Sequence, residues 1–272
     1  MCLTELWQFS LISTKTKNLV KSLRLKACEV DIRIHGSKDI VVYTRTSHLN
    51  MAIRSLTLVN FNKRLNHIRT IFCYSPPPNV CFYGCKQNEI ELLKDIIGNA
   101  NVLYVYRGLT DVLSREVLKQ FDTPNRLDLD RNPFKDTCQI QELFIQNFET
   151  IVFYDVYSLD DMLLVNSEEV RFCCSTTQKQ FNQFLKHWIR GSNPRLQRMN
   201  LSINKTDVAS GEVYLKGIRC IEISEDAKRE IRQKQEHLSG GMVQIRRKDG
   251  TPVVISTYDA PYRHHIRLIV LH

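Results

Sequence analysis

No run of apolar residues in this chain approaches the roughly 20 needed for a helix to cross a bilayer. The first residues are not expected to be a secretory leader: Glu5 and Gln8 interrupt the stretch that would have to be its apolar core. The expectation is therefore an intracellular chain, in the cytoplasm and/or nucleus. Catalytic signatures are also absent. The sequence holds no G-x-x-x-x-G-K-[ST] phosphate loop, no H-E-x-x-H and no G-x-S-x-G elbow. His264-His265 is an isolated pair on a basic segment, read as solvated. A zinc site lacks its second half, because Cys73, Cys81 and Cys85 have no further short-spaced pair beside them. The nine cysteines are an odd number and fit free thiols in a reducing compartment. Cys173-Cys174 falls within an expected strand, where packing explains it. No metal and no cofactor is expected.

Basic residues are present in excess, giving a formal net charge of +9. They are scattered, with small clusters at Arg246, Arg247 and Lys248 and near Arg263 and Arg267. None is interleaved with aromatics as in single-strand RNA binders. A solvated basic surface is the better reading, and a nucleic-acid site the weaker one.

At 272 residues the chain is long enough for one large domain or two. Its best-punctuated stretch is NQFLKHWIRGSNPRL, from Asn182 to Leu196. Phe181, Phe184, Leu185, Trp188 and Ile189 recur at i, i+3, i+4, i+7 and i+8, one helical face. Thr177 and Gln180 suit a capping box, Gly191 a left-handed C-terminus, and Pro194 prevents resumption. LQRMNLSIN follows, fitting the L-x-x-L-x-L-x-x-N skeleton of a leucine-rich repeat.

Strand-core pairs recur through the chain. They are Leu56/Leu58, Val80/Phe82, Leu103/Val105, Leu127/Leu129, Ile151/Phe153, Val170/Phe172, Met199/Leu201 and Ile221/Ile223. The interval is about 24 residues, inside the leucine-rich-repeat range. Cys85 and Asn132 stand three places beyond a pair, where such repeats turn. Helical stripes fill the gaps: Leu109 to Leu118, Ile140 to Phe148, and a short one at Leu159 to Leu163. Alternating strands and helices imply parallel pairing, and stacked units make a solenoid whose strands line a concave face. An ordinary α/β sheet gives pairs at similar intervals; the near-coincidence of several favours the solenoid.

The ends read differently. Ala27 to Thr44 suggests an antiparallel hairpin turning at Gly36-Ser37, and Val243 to Ile255 another turning at Asp249-Gly250. Pro252 suits an edge or a first strand position, and Ile266 to Leu271 could add one more strand. Asp226 to His237 is a charged helix expected to face solvent. The hairpins would cap the solenoid's open ends.

Three texts carry a family resemblance. FSLISTKTKNLVKS, Phe9 to Ser22, resembles the second half of an F-box. NQFLKHWIRGSNPRL resembles the signature of the type 2 F-box-associated domain, and MVQIRRKDGTPVVI, Met242 to Ile255, is similar to the hairpin that closes many members. The resemblance divides the chain into partial F-box helices at 1–26 and an F-box-associated, leucine-rich-repeat-like domain at 27–272, with the family signature at about 140–206. The fold expected is α/β, a short helical segment followed by a βα solenoid with hairpins at its ends.

The resemblance implies a non-catalytic adaptor of a Skp–cullin–F-box ubiquitin ligase, with a Skp adaptor at one end and a protein substrate at the other. The Leu-Pro helix that opens a full F-box is not in this sequence, so the chain is expected either to be truncated or to start further upstream. Without ligase coupling it would be an interaction scaffold. Skp contact is assigned to Leu6, Trp7, Phe9, Leu11 and Ile12, whose other reading is a local cap on the first strands. Substrate contact is assigned to the exposed positions between strand-core residues, namely Asp128, Arg171, Arg198 and Asn200.

Overall fold

The computed structural model describes residues 2–53, 58–205, 213–235 and 240–271. The chain is mixed α/β and divides into two compact units, Met1–Pro133 and Phe134–His272. Among the described residues no helix is long and apolar enough to cross a membrane.

The first unit opens with α1 (Leu3–Ser10) and α2 (Thr14–Ser22). Leu3, Leu6 and Trp7 share the buried face of α1, and Val20 anchors α2. The expected N-terminal hairpin forms from β1 (Glu29–Ile34) and β2 (Lys38–Tyr43), paired antiparallel. A strand not anticipated, β3 (His48–Ile53), pairs with β2. Leu49 and Met51 are buried, and with Ile53 they alternate along the strand that β2 pairs.

The first expected strand pair is a correction. Leu56 lies outside the described residues, and Leu58 opens a helix, α3 (Leu58–Ile71). Phe61, Leu65, Ile68 and Ile71 follow at helical spacing, and their burial outweighs a two-residue strand signal. Beyond it, β4 (Asn79–Phe82), α4 (Gln87–Ile97), β5 (Val102–Val105), α5 (Asp111–Gln120) and β6 (Arg126–Leu129) alternate as expected. β1, β4, β5 and β6 pair in parallel in that order. The expected core pairs Val80/Phe82, Leu103/Val105 and Leu127/Leu129 are all buried. In α5 the inward face is Ser114, Val117 and Leu118, while Val112 of the expected stripe is 52% exposed.

A side-chain spine links these parallel strands. Asn125 donates to Asn101 Oδ1 at 3.0 Å, and Asn101 donates to Asn79 Oδ1 at 3.2 Å. Asn79 in turn donates to the Asp31 and Glu29 carboxylates. Each asparagine stands at or just before the start of its strand, the opposite end from the turn positions given to Cys85 and Asn132.

The second unit runs α6 (Thr137–Phe144), β7 (Thr150–Phe153), α7 (Leu159–Leu164), β8 (Glu169–Thr176), α8 (Gln178–Arg190) and β9 (Arg198–Asn204). A 3-10 turn (Val213–Leu215) and β10 (Ile221–Glu222) follow, then α9 (Glu225–Lys234). Last come β11 (Gly241–Arg246), β12 (Pro252–Asp259) and β13 (Arg263–Val270). β7, β8 and β9 pair in parallel. β13 then pairs antiparallel with β9, followed by β12, β11 and β10. Pro252 takes the first position of its strand, as its missing N–H requires.

Two faces of this sheet differ in chemistry. One carries Val170, Phe172, Met199, Leu201, Ile266 and Leu268, all buried. There Phe144 meets Phe153 and Phe172 edge-on and Tyr157 stacks on Phe172 at 4.1 Å. By strand alternation the other face carries Arg171, Arg198, Asn200, His265 and Arg267. α9 keeps its charged exterior, with no residue buried, but Ala227 and Ile231 pack against Ile223, Met242, Val254 and Ile269. The helix expected to face solvent alone therefore covers part of this second face.

Candidate functional site

The α8 signature forms as expected. Thr177 Oγ1 accepts from the Gln180 N–H at 3.1 Å, and Gly191 closes the helix at φ 118°. Phe181, Phe184, Leu185 and Trp188 are buried. Gln180 does not return the capping bond; its amide donates to the Tyr157 carbonyl at 3.3 Å.

The two buried asparagines of the signature, Asn182 and Asn193, are structural, as is Gln178 just before it. Asn193, 6% exposed at φ 50°, donates from Nδ2 to the carbonyls of Met162, Leu163 and Val165 at 3.0, 3.2 and 2.9 Å. Carbonyls at the end of α7 that have no helical partner are satisfied in this way. Asn182 donates to the Tyr214 and Lys216 carbonyls, and Gln178 Oε1 accepts from the Val213 and Tyr214 amides.

The closing hairpin docks on this signature. Arg247 lies over the Trp188 ring at 5.2 Å and donates to the Gly191 and Ser192 carbonyls at 2.7 and 3.2 Å. The Lys248 amide adds a bond to the Ile189 carbonyl at 2.9 Å. Read from sequence as part of a solvated basic cluster, Arg247 in fact joins two of the three recognised texts.

On the polar face of the second unit's sheet lies a groove of about 690 Å³. Its lining includes Glu169 and Arg171 from β8, Arg198 and Asn200 from β9, Tyr258 from β12, Arg267 from β13, and Lys234 at the end of α9. Arg171, Asn200 and Arg267 stand in one row across three paired strands. Glu169, whose side chain is 12% exposed, accepts from both Arg171 and Arg198 at 2.8 and 2.9 Å. Arg267 lies over Tyr258 at 5.4 Å, and Tyr258 stacks on His265 at 4.7 Å. Burial, with Arg263, Arg267 and His264 adding to it, holds the His265 imidazole below its ordinary value. His265 is therefore neutral near pH 7, and the positive charge of the groove belongs to arginine and lysine.

Three of the four residues expected to contact substrate, Arg171, Arg198 and Asn200, thus line one groove. Asp128 does not line it. It lies on β6 in the first unit, 7% exposed, and its carboxylate is held by Arg126 at 2.6 and 2.8 Å. Tyr258, Arg267 and Lys234 were missed, because only the placement of β13 beside β9 and of α9 over the sheet brings them in.

The residues expected to contact Skp separate by exposure. Leu6 and Trp7 are buried in the first unit, where Trp7 meets His67 edge-on at 5.0 Å and Ser10 Oγ lies 2.8 Å from His67 Nε2. Phe9 is half-buried, whereas Leu11 and Ile12 are 50% and 72% exposed. Leu19 and Leu23, one helical turn apart, are also more than half exposed.

Among the described residues no group of His, Cys, Asp or Glu could hold a metal ion. Burial pushes the Cys81 thiol up to about 12 and the Cys85 thiol to about 11, so both stay protonated and non-nucleophilic at neutral pH.

No curated protein and no solved structure matches the chain. The resemblance of the α8 text is borne out: residues 139–201, from α6 into β9, match the model of the family described as F-box associated.

Proposed function

We propose that the protein is a non-catalytic substrate-recognition adaptor of a Skp–cullin–F-box ubiquitin ligase. The observation that carries the proposal is a coincidence of position. The F-box associated match at 139–201 contains Glu169, Arg171, Arg198 and Asn200, which form much of the groove. An F-box-associated, substrate-binding role follows from the match, and the groove is where the second unit would hold a substrate. In this reading the chain breaks no bond. It raises the effective concentration of substrate lysines near the conjugating enzyme.

Docking on the Skp adaptor falls to exposed apolar residues in and around α1 and α2: Leu11 and Ile12 in the connection between the helices, with Leu19 in α2 and Leu23 just after it. The repeat domain is read as a solenoid because successive βα units pair with their sequence neighbours within each unit. Co-purification of the full chain with a Skp adaptor tests the coupling. Binding abolished by Leu11→Asp with Ile12→Asp supports it. A chain that retains no Skp adaptor until a Leu-Pro helix is added upstream is the interaction scaffold instead.

A further inference from the structure

We infer that Ser75 is a phosphorylation site, modified by a protein kinase that selects serine followed by proline, and that Lys21 and Arg69 receive the phosphate. The site lies wholly in the first unit and stands whether or not the chain couples to a ligase.

Ser75 is exposed in the connection between α3 and β4 and is followed by Pro76, Pro77 and Pro78. A residue ahead of proline is kept out of the helical region and held extended, the shape in which a kinase cleft takes its substrate. The flanks pin that shape. Buried Tyr74 donates its hydroxyl to the Pro77 carbonyl at 2.9 Å, and the Pro78 carbonyl accepts from the Asn101 amide at 2.8 Å. Two other hydroxyl residues precede proline. Thr123 follows Asp122, whose charge opposes a phosphate, and Thr251 lies in the β11–β12 turn with its amide bound to Asp249 Oδ1.

Ser75 shares a hollow of about 550 Å³ with Lys21 from the last turn of α2 and Arg69 from the last turn of α3. Asn66 and Thr70 add polar groups, and no Asp or Glu lines it. Glu29 and Asp31, whose charges reach Tyr74, lie outside the lining and both accept from Asn79. Neither Lys21 nor Arg69 has a carboxylate partner among the described residues, and Met1 and 54–57, the rest of this unit, include no Asp or Glu. Arg69 donates from Nη2 to the Ile97 carbonyl at 2.9 Å, which holds the group in place and leaves other donors for a ligand. The carbonyl ends of α2 and α3 by themselves disfavour an anion, so the two cations decide the sign.

In the transfer, Ser75 Oγ attacks the γ-phosphorus of ATP and the bond from that phosphorus to the β-phosphate oxygen breaks. ADP leaves, and the hydroxyl proton passes to the kinase's base. The product adds about −1.5 to −2 of charge and a set of strong acceptor oxygens beside two cations. Val20 is the buried residue that anchors α2, so a phosphate bridging Lys21 and Arg69 fastens a lightly held helix to α3.

The test is treatment of the full chain with a proline-directed kinase and ATP, followed by mass spectrometry, phosphorus NMR and amide hydrogen exchange. Phosphate should appear at Ser75, and Ser75→Ala should remove it. Modification mainly at Thr123 or Thr251, or none at all, overturns the site. The phosphoserine should titrate about half a pH unit or more below its ordinary value of about 6, and Lys21→Gln, at an exposed position, should return part of that difference. Exchange across Thr14–Ser22 should slow at least about threefold on phosphorylation. A phosphoserine that titrates at about 6 or above, or one indifferent to Lys21→Gln, overturns the role given to the two cations. Exchange left unchanged in α2 overturns the bridge.

Discussion

Trp188 shows how a residue that looks like a binding determinant can be architecture. It is fully buried at the centre of the most recognisable text in the chain, with Arg247 across its ring. Trp188→Ala should cost about 3–5 kcal/mol in a urea titration, the range for emptying an aromatic core site. Arg247→Ala should cost about 2–3 kcal/mol, because it removes charge-assisted bonds to two carbonyls at the end of α8 and a cation–ring contact. Arg247→Lys should recover less than half of that, since an ammonium cannot both bridge the two carbonyls and lie flat on the indole. Full recovery by lysine would mean that charge alone matters at this position.

α1 and α2 are tied to the first unit by a contact that protons can loosen. His67 packs against Trp7 and Ser10, and burial, then Lys17 and Arg64, holds its imidazole below the ordinary value. The unfolded chain therefore binds a proton more readily than the folded one. The stability this contact contributes is complete above an ordinary imidazole value of about 6.5 and is lost as pH falls through the lower folded value. In a Trp188→Phe background, Trp7 emission should change on acidification from about pH 7 to pH 5, and His67→Gln should remove the change. An emission profile indifferent to His67 would leave the packing of α1 unrelated to this histidine.

The same elements show what the sequence could reveal. α8, both hairpins and the strand pairs from Val80 to Leu201 were legible because their signals are local: a helical stripe with caps, a two-residue turn, alternation over three residues. β3 was not read although Leu49, Met51 and Ile53 alternate, and the start of α3 was not because the burial of its helical stripe outweighed a two-residue strand signal. The asparagine spine was missed for a different reason. Asn79, Asn101 and Asn125 recur at nearly the strand interval, but their bonds run between neighbouring strands and no single βα stretch displays them. Breaking the middle link with Asn101→Ala should cost about 1–3 kcal/mol, read in the same titration, because it strands the side chains of both neighbours.

At the scale of the whole molecule, the groove was half legible. Alternation on β8 and β9 places Arg171, Arg198 and Asn200 on one face of the sheet without any knowledge of the fold. Arg267 could be assigned only to a scattered basic cluster, because the chain travels from Asn204 to Arg263, through β10, α9, β11 and β12, before β13 returns to pair with β9. Long-range pairing therefore sets Arg267 in one row with Arg171 and Asn200. This matters for how an adaptor would work. The exposed apolar residues Leu11, Ile12, Leu19 and Leu23 belong to one compact unit and the groove to the other, each with its own core. Recognition of two partners then needs no exchange of free energy between sites, only a common chain. Leu11→Asp with Ile12→Asp should abolish Skp retention while leaving capture of a substrate at the groove within about twofold, and Asn200→Trp should do the reverse. Combining the changes should give the sum of the two effects within about 0.5 kcal/mol. A larger discrepancy would mean that one site senses the occupant of the other, and that the chain is a switch as well as a tether.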